Sequence, residues 1–231
     1  MKPANLSYEQ AAALCFGGST MLDFFRRGAL RSGERVLVNG ASGAVGTAAV
    51  QLAKHFGAHV TGVCSAANLE LVRSIGADQV IDYTKDDFST SRQTYDVIVD
   101  AAGTAPFSRS GRVLSNGGRL LLVLASLTDL LKAPLVGITN TRKVIAGPAA
   151  ERLEYVHQLG QLATEGKFTP VVDRCYPFEE VRAAHRYVDS GRKRGSVVIR
   201  SPKGPVSKFA ITSEVHHRLL APTTVRVRED M

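Results

Sequence analysis

The sequence predicts an α/β fold, a doubly wound sheet of six parallel strands with helices on both faces. Three observations carry that expectation. Short, continuously apolar runs recur at Val36–Val38, His59–Val63, Val80–Ile81, Val97–Val99, Leu120–Leu124 and Val144–Ile145. Segments with helical spacing separate most of them, at Val45–Phe56, Leu69–Ile75, Phe107–Leu114 and Glu151–Glu165. A glycine-rich turn joins the first run to the first of these helices. Strands that are apolar without alternation are buried on both faces, as happens when crossover helices cover a parallel sheet. Right-handed crossovers then give the strand order 3-2-1-4-5-6.

Residues 7–29 read as helical. Ser7 and Gln10 have the form of a capping box. Gly17-Gly18 is expected to interrupt the pattern, with a second helix carrying Met21, Leu22, Phe24 and Phe25 on its apolar side. Ser32-Gly33 reads as a turn. Beyond the sixth apolar run lie a strand near Val171–Val172, a helix at Phe178–Val188 and a last strand at Ser196–Arg200. The organisation expected is a helical linker over 1–30, a dinucleotide-binding domain over 31–170 and a returning strand–helix–strand segment over 171–200. Residues 201–231 contain Pro202, Pro205 and Pro222 and no clear period, and read as a loosely ordered tail.

Bulk properties narrow the function classes. A chain of 231 residues that is 44% hydrophobic can bury one good core. The net charge of +8 admits a nucleic-acid partner or a solvated basic surface. The basic residues are dispersed, densest at Arg192–Arg194, and no stretch interleaves them with aromatics, which favours the second. Cys15, Cys64 and Cys175 are widely spaced with no CxxC pair, as in a reducing, cytoplasmic compartment. No run of about 18 apolar residues occurs, so no membrane span is expected.

The strongest motif is Val36-Leu37-Val38-Asn39-Gly40-Ala41-Ser42-Gly43-Ala44-Val45-Gly46, followed by a helix. A diphosphate at such a place needs a sharp strand-to-helix turn, a backbone it can approach without a Cβ in the way, and unpaired N–H groups at the helix start. Gly40 serves the turn, Gly43 the close approach and Gly46 the helix–strand packing. A tight turn with no ligand is the plainer alternative. The next strand ends in Cys64-Ser65-Ala66-Ala67-Asn68, and no acid appears until Glu70. An acid there would bind the ribose 2′-hydroxyl of NAD and repel the 2′-phosphate of NADP, so NADP(H) is preferred over NAD(H). Ser65 and Asn68 can donate hydrogen bonds. Tyr83 is read either as a cofactor contact or as a half-buried loop tyrosine.

Asn5–Leu14, the Gly-Gly-Ser-Thr20 turn, Gly40–Gly46, Gly76–Tyr83 and Gly191–Ile199 together resemble the medium-chain dehydrogenase/reductases, in their zinc-independent quinone oxidoreductase-like branch. The resemblance covers roughly residues 3–200. It implies a Rossmann domain whose Gly43, Ala44 and Val45 bind the pyrophosphate, with Ser42 in the same loop. It implies that Ser65, Asn68 and Tyr83 line the adenosine 2′-phosphate pocket, that Thr20, Leu124 and Ala125 lie near the nicotinamide, and that Arg194 lies near a cofactor phosphate. The implied reaction is hydride transfer from NADPH to a quinone, enone or aldehyde. Similar proteins begin with a barrel-like domain to which the last strand returns, and this sequence starts at the linker after it.

Several alternatives follow. Cys15 falls near a catalytic zinc ligand of relatives, yet such a zinc needs three protein ligands, so a packed thiol is favoured. A short-chain reductase would need a Tyr-x-x-x-Lys, and no tyrosine here is followed by one. A non-catalytic dinucleotide-binding or scaffolding module stands beside the enzyme reading. The expected partners are a small-molecule carbonyl or quinone and a second copy in a homodimer, paired through the sixth strand near Val144–Ile145, with neither nucleic acid nor membrane. Apolar surface is expected around the last strand.

Overall fold

A computed structural model describes residues 2–126 and 141–201. The elements below all belong to the unit Met1–Arg200. The tail expected over 201–231 lies, after Ser201, outside the described residues.

The sheet has six parallel strands: β1 (Arg35–Asn39), β2 (His59–Cys64), β3 (Gln79–Asp82), β4 (Tyr95–Asp100), β5 (Leu114–Leu122) and β6 (Lys143–Ile145). Their spatial order is β3-β2-β1-β4-β5-β6, as the apolar runs predict. Val36, Leu37 and Val38 of β1 are wholly buried, because the strand lies between β2 and β4 and is covered on both faces. One apolar cluster forms between the sheet and α2 (Ala44–His55), with Val36, Val38, Ala49 and Val50. A second, with Leu37, Ile98 and Leu120, lies on the opposite face.

Helix α1 (Tyr8–Arg27) packs into the first cluster through Met21, Leu22, Phe24 and Phe25. Its start carries the expected capping box, with Ser7 and Gln10 each accepting the other's backbone N–H. The expected break at Gly17-Gly18 does not occur, since the helix runs through both glycines unbroken. Their role is close packing. A Cβ on Gly17 would lie 2.4 Å from the Ala44 carbonyl oxygen, and one on Gly18 would lie 2.7 Å from Leu159 of α5 (Leu153–Thr164). Glycine costs some helix propensity but lets two helices approach closely.

Buried Asp23 ties α1 to α5 by accepting a hydrogen bond from the Tyr155 hydroxyl at 3.2 Å and another from Arg26. Burial alone would push the Asp23 carboxyl up. The Ala150 N–H, Arg26 and Tyr155 together hold it below the ordinary carboxylate range.

Two further boundaries differ from expectation. The helix expected over Phe107–Leu114 is a single turn, α4 (Phe107–Ser110), because β5 begins at Leu114 and passes through Gly117-Gly118 before its buried end. The strand near Val171–Val172 extends over Val172–Pro177 as β7, followed by a 3-10 turn at Phe178–Glu180, α6 (Val181–Asp189) and β8 (Ser196–Arg200). Strands β7 and β8 pair in parallel as a separate two-stranded sheet. Phe16 of α1, Phe178 and Ile199 stand exposed.

The two glycines of α1 should respond differently to substitution. Gly17→Ala forces a methyl against backbone that cannot yield, and should destabilise the chain by about 1–3 kcal/mol. Gly18→Ala meets only the tips of a leucine and should cost less than about 1 kcal/mol after its gain in helix propensity. Urea midpoints read by circular dichroism test the ranking; equal effects would contradict it.

Candidate functional site

The candidate site lies along the carboxyl ends of the strands, where β1 stands between β2 and β4 and the chain leaves toward opposite faces of the sheet. The turn after β1 is built without side chains. Gly40 has φ +80, a conformation that favours glycine. The N–H groups of Gly40 and Ala41 both donate to the Val63 carbonyl, at 3.1 and 3.0 Å, which locks the turn onto β2. A Cβ on Gly46 would lie 2.0 Å from the Gly40 carbonyl oxygen, so only glycine lets α2 start this close to the strand.

Gly43 precedes α2 and offers no side-chain cap. A Cβ there would meet only the Gly40 carbonyl oxygen, at 3.6 Å, so protein atoms leave the space in front of it open. The first-turn N–H groups of Val45 and Gly46 have no hydrogen-bond acceptor among the described residues, while that of Ala44 faces the Gly195 carbonyl across the bridge to Gly43. An open, side-chain-free turn leading to unpaired amides at the positive end of a helix fits a bound diphosphate.

Polar side chains surround this turn. Asn68 donates to the hydroxyls of Ser42 and Ser65, at 3.1 and 3.3 Å, and so joins the glycine turn to the end of β2. Tyr83 follows β3, donates its N–H to the Cys64 carbonyl, and is 60% exposed, more open than a half-buried loop tyrosine. Cys64 is buried, and burial with the nearby Asp82 carboxylate pushes its thiol up to about 11.

From the other side comes the loop before β8. The Gly195 N–H donates to the Ser42 carbonyl at 2.8 Å, and Gly195 forms a parallel bridge with Gly43. Arg194 is fixed by its backbone N–H on Asp173, and its exposed guanidinium has no partner among the described residues. Lys193 donates to the Gly195 carbonyl, and burial pulls its ammonium below the ordinary lysine range.

Three expected residues lie elsewhere. Thr20 is on α1, where its hydroxyl donates to the Phe16 carbonyl at 2.7 Å. Leu124 follows β5, is 58% exposed, and sits beside Gly103. Ala125 packs partly against the second apolar cluster. The structure thus joins Ser42, Ser65 and Asn68 directly and sets Gly195 against Gly43.

Sequence reasoning missed a buried pair. Asn39 and Asp100 face each other across β1 and β4, and the Asn39 amide donates to Asp100 at 2.9 Å. Asp100 also accepts the N–H groups of Ala102, Gly103, Thr104 and Ala105, which fixes the loop after β4. The available signal was a polar residue at the carboxyl end of each of two adjacent apolar strands. Among the described residues, no three His, Cys, Asp or Glu side chains cluster as metal ligands. Nor is any described helix long and apolar enough to cross a membrane.

Comparison with known proteins fits this architecture. A family model described as zinc-binding dehydrogenase matches residues 75–199. The chain belongs to this family, the medium-chain dehydrogenase/reductases. Within it the chain groups with the quinone oxidoreductase-like members. It is 34% identical over 203 residues to the 2-methylene-furan-3-one reductase of Solanum lycopersicum, a match over 86% of this chain and 48% of that protein. The quinone oxidoreductase of Coxiella burnetii superposes with a TM-score of 0.78 at 28% identity, over 86% of this chain and 62% of the other. The Thermus thermophilus quinone oxidoreductase, solved also with NADPH, superposes at 0.71 with 27% identity, over 86% and 68%. This medium-chain dehydrogenase/reductase chain therefore spans about half the length of curated relatives such as that reductase.

Cysteine reactivity tests the packing at the end of β2. With a pKa of about 11, only about one Cys64 in a thousand is thiolate at pH 8. Alkylation of the native chain should therefore modify half-buried Cys15 and Cys175 first, as read by mass spectrometry. Early modification of Cys64 would contradict the buried environment.

Proposed function

We propose that this chain is the dinucleotide-binding part of an NADP(H)-dependent oxidoreductase that reduces a quinone, enone or aldehyde. The observation that carries the reading is the open turn at Gly43, followed by the unpaired amides of Val45 and Gly46. Gly40, Ser42 and Gly46 shape the turn, and Arg194 adds a cation beside it. Ser65, Asn68 and Tyr83 form the adenosine end. Thr20, Leu124 and Ala125 form the nicotinamide end. The preference for NADP(H) rests on the absence of an acid after β2, where Ser65 and Asn68 stand instead.

When bound, the nicotinamide supplies a hydride, and the protein's part is to hold donor and acceptor in near-attack geometry. Thr20, Leu124 and Ala125 offer no acid or base that titrates near neutral pH. A quinone, which takes its protons from water, suits such a site better than an alcohol does. The reading is zinc-independent, with Cys15 a packed thiol on α1. Three free cysteines fit a reducing compartment such as the cytosol. Self-association as a homodimer through β6, one of the two edge strands of the sheet, is part of the same proposal.

A second reading is a binding module without turnover. A quinone-reduction assay with saturating NADPH separates the two.

Gly43→Val tests the binding reading. Gly43 has φ −80, which valine adopts, and its Cβ meets no close contact. Stability should change little, with Tm shifted by no more than about 2 °C. NADPH affinity measured by calorimetry should fall at least about tenfold, because the new side chain occupies the diphosphate position. No uptake of either dinucleotide by the unaltered chain at millimolar concentration would end the proposal.

A further inference from the structure

We infer that Asn68 selects for the 2′-phosphate of NADP(H) without touching it: it is a positioning residue that turns the Ser42 and Ser65 hydroxyls outward as donors. The inference rests on the dinucleotide reading above and adds how the adenosine end discriminates.

The argument starts from the hydrogens of one amide. Asn68 Nδ2 carries two, and both are engaged, one on Ser42 Oγ at 3.1 Å and one on Ser65 Oγ at 3.3 Å. No donor remains for a ligand. The other end of the side chain is closed as well, because Asn68 Oδ1 is buried and has no hydrogen-bond partner. Asn68 thus offers a bound nucleotide neither a donor nor an accessible acceptor.

Asn68 ends a 3-10 turn at Ala66–Asn68 that runs straight into α3 (Leu69–Ser74), and its side chain turns toward the two serines. The unpaired buried oxygen costs stability at this position.

The serines show the effect. A hydroxyl has one proton and two lone pairs. Each serine oxygen accepts from Asn68, so the lone pairs facing the amide are used and the proton must point elsewhere. Neither hydroxyl donates to any described residue. Two O–H donors therefore stand together, one in the glycine turn and one at the end of β2. Hydrogen bonds to an ionised acceptor are the stronger class, so paired donors favour a phosphate dianion over a ribose hydroxyl. No carboxylate stands between the end of β2 and Glu70, and that of Asp82, opposite Cys64 on β3, is engaged by Thr84 and the Ala66 N–H.

Calorimetry on the full chain with adenosine 2′,5′-bisphosphate and 5′-AMP tests this. Asn68→Ala should weaken the bisphosphate about tenfold, the scale of losing charge-assisted hydrogen bonds, and 5′-AMP less than about twofold. The Ser42→Ala/Ser65→Ala double variant should lose a similar factor. Adding Asn68→Ala to it should cost nothing more, since the amide acts only through those hydroxyls. Asn68→Asp, with no hydrogens to give, should draw both hydroxyls inward and invert the preference. Additive losses would show that Asn68 meets the phosphate itself, and equal losses for both nucleotides would show a merely structural role; either overturns the inference. If the unaltered chain binds 5′-AMP at least as well as the bisphosphate, the inference fails while the dinucleotide reading stands. If it binds neither nucleotide nor either dinucleotide, both fail. Circular dichroism reports folding, and the serine variants and Asn68→Asp carry the test if Asn68→Ala does not fold.

Discussion

The architecture of the site depends on how closely the first turn of α2 is set over the end of β1. At Gly46 the distance from a would-be Cβ to the Gly40 carbonyl oxygen is 2.0 Å, well inside any tolerable contact. That approach lets the chain turn sharply from β1 into α2, which then packs on the face of the sheet. The amides of Val45 and Gly46 consequently open at the carboxyl ends of the strands, where the strand order reverses. Any side chain at this point would tilt the helix and redirect its amides.

Other parts of the chain hold the same turn by equally close contacts. Helix α1 presses Gly17 against the Ala44 carbonyl, and the loop before β8 lays Gly195 against Gly43. The Val63 carbonyl receives the turn's own N–H groups. A loop fixed on several sides by backbone contacts has little conformational freedom left to lose when a ligand arrives. The polar residues beside it are similarly preset, with Asp100 gathering four N–H groups and Asn68 bridging two hydroxyls.

Much of this was legible in the sequence, and what was not has identifiable causes. Buried parallel strands announce themselves as unbroken apolar runs, so six strands, their order and the glycine turn could be read directly. Gly17-Gly18 misled because a glycine pair weakens a helix locally; that these two admit Ala44 and Leu159 is a tertiary fact with no local trace. The helix expected to Leu114 failed for a similar reason, as Val113 and Leu114 are buried by the sheet and not by a helix face. At the site, residue types pointed to Ser65 and Asn68, but not to the hydrogen bonds that use up both hydrogens of the amide. Asn39 and Asp100 escaped notice because each ends its own apolar run, although the expected strand order already set β1 beside β4.

The bridge between Gly43 and Gly195 has a consequence for biosynthesis. A chain emerging from the ribosome can assemble β1, α2 and β2 early, since these are neighbours in sequence. The outer wall of the glycine turn arrives only with the segment preceding β8, after almost the whole described polypeptide has been made. Contacts of such long sequence separation form late. The wall of the turn is therefore the last of its parts to be synthesised.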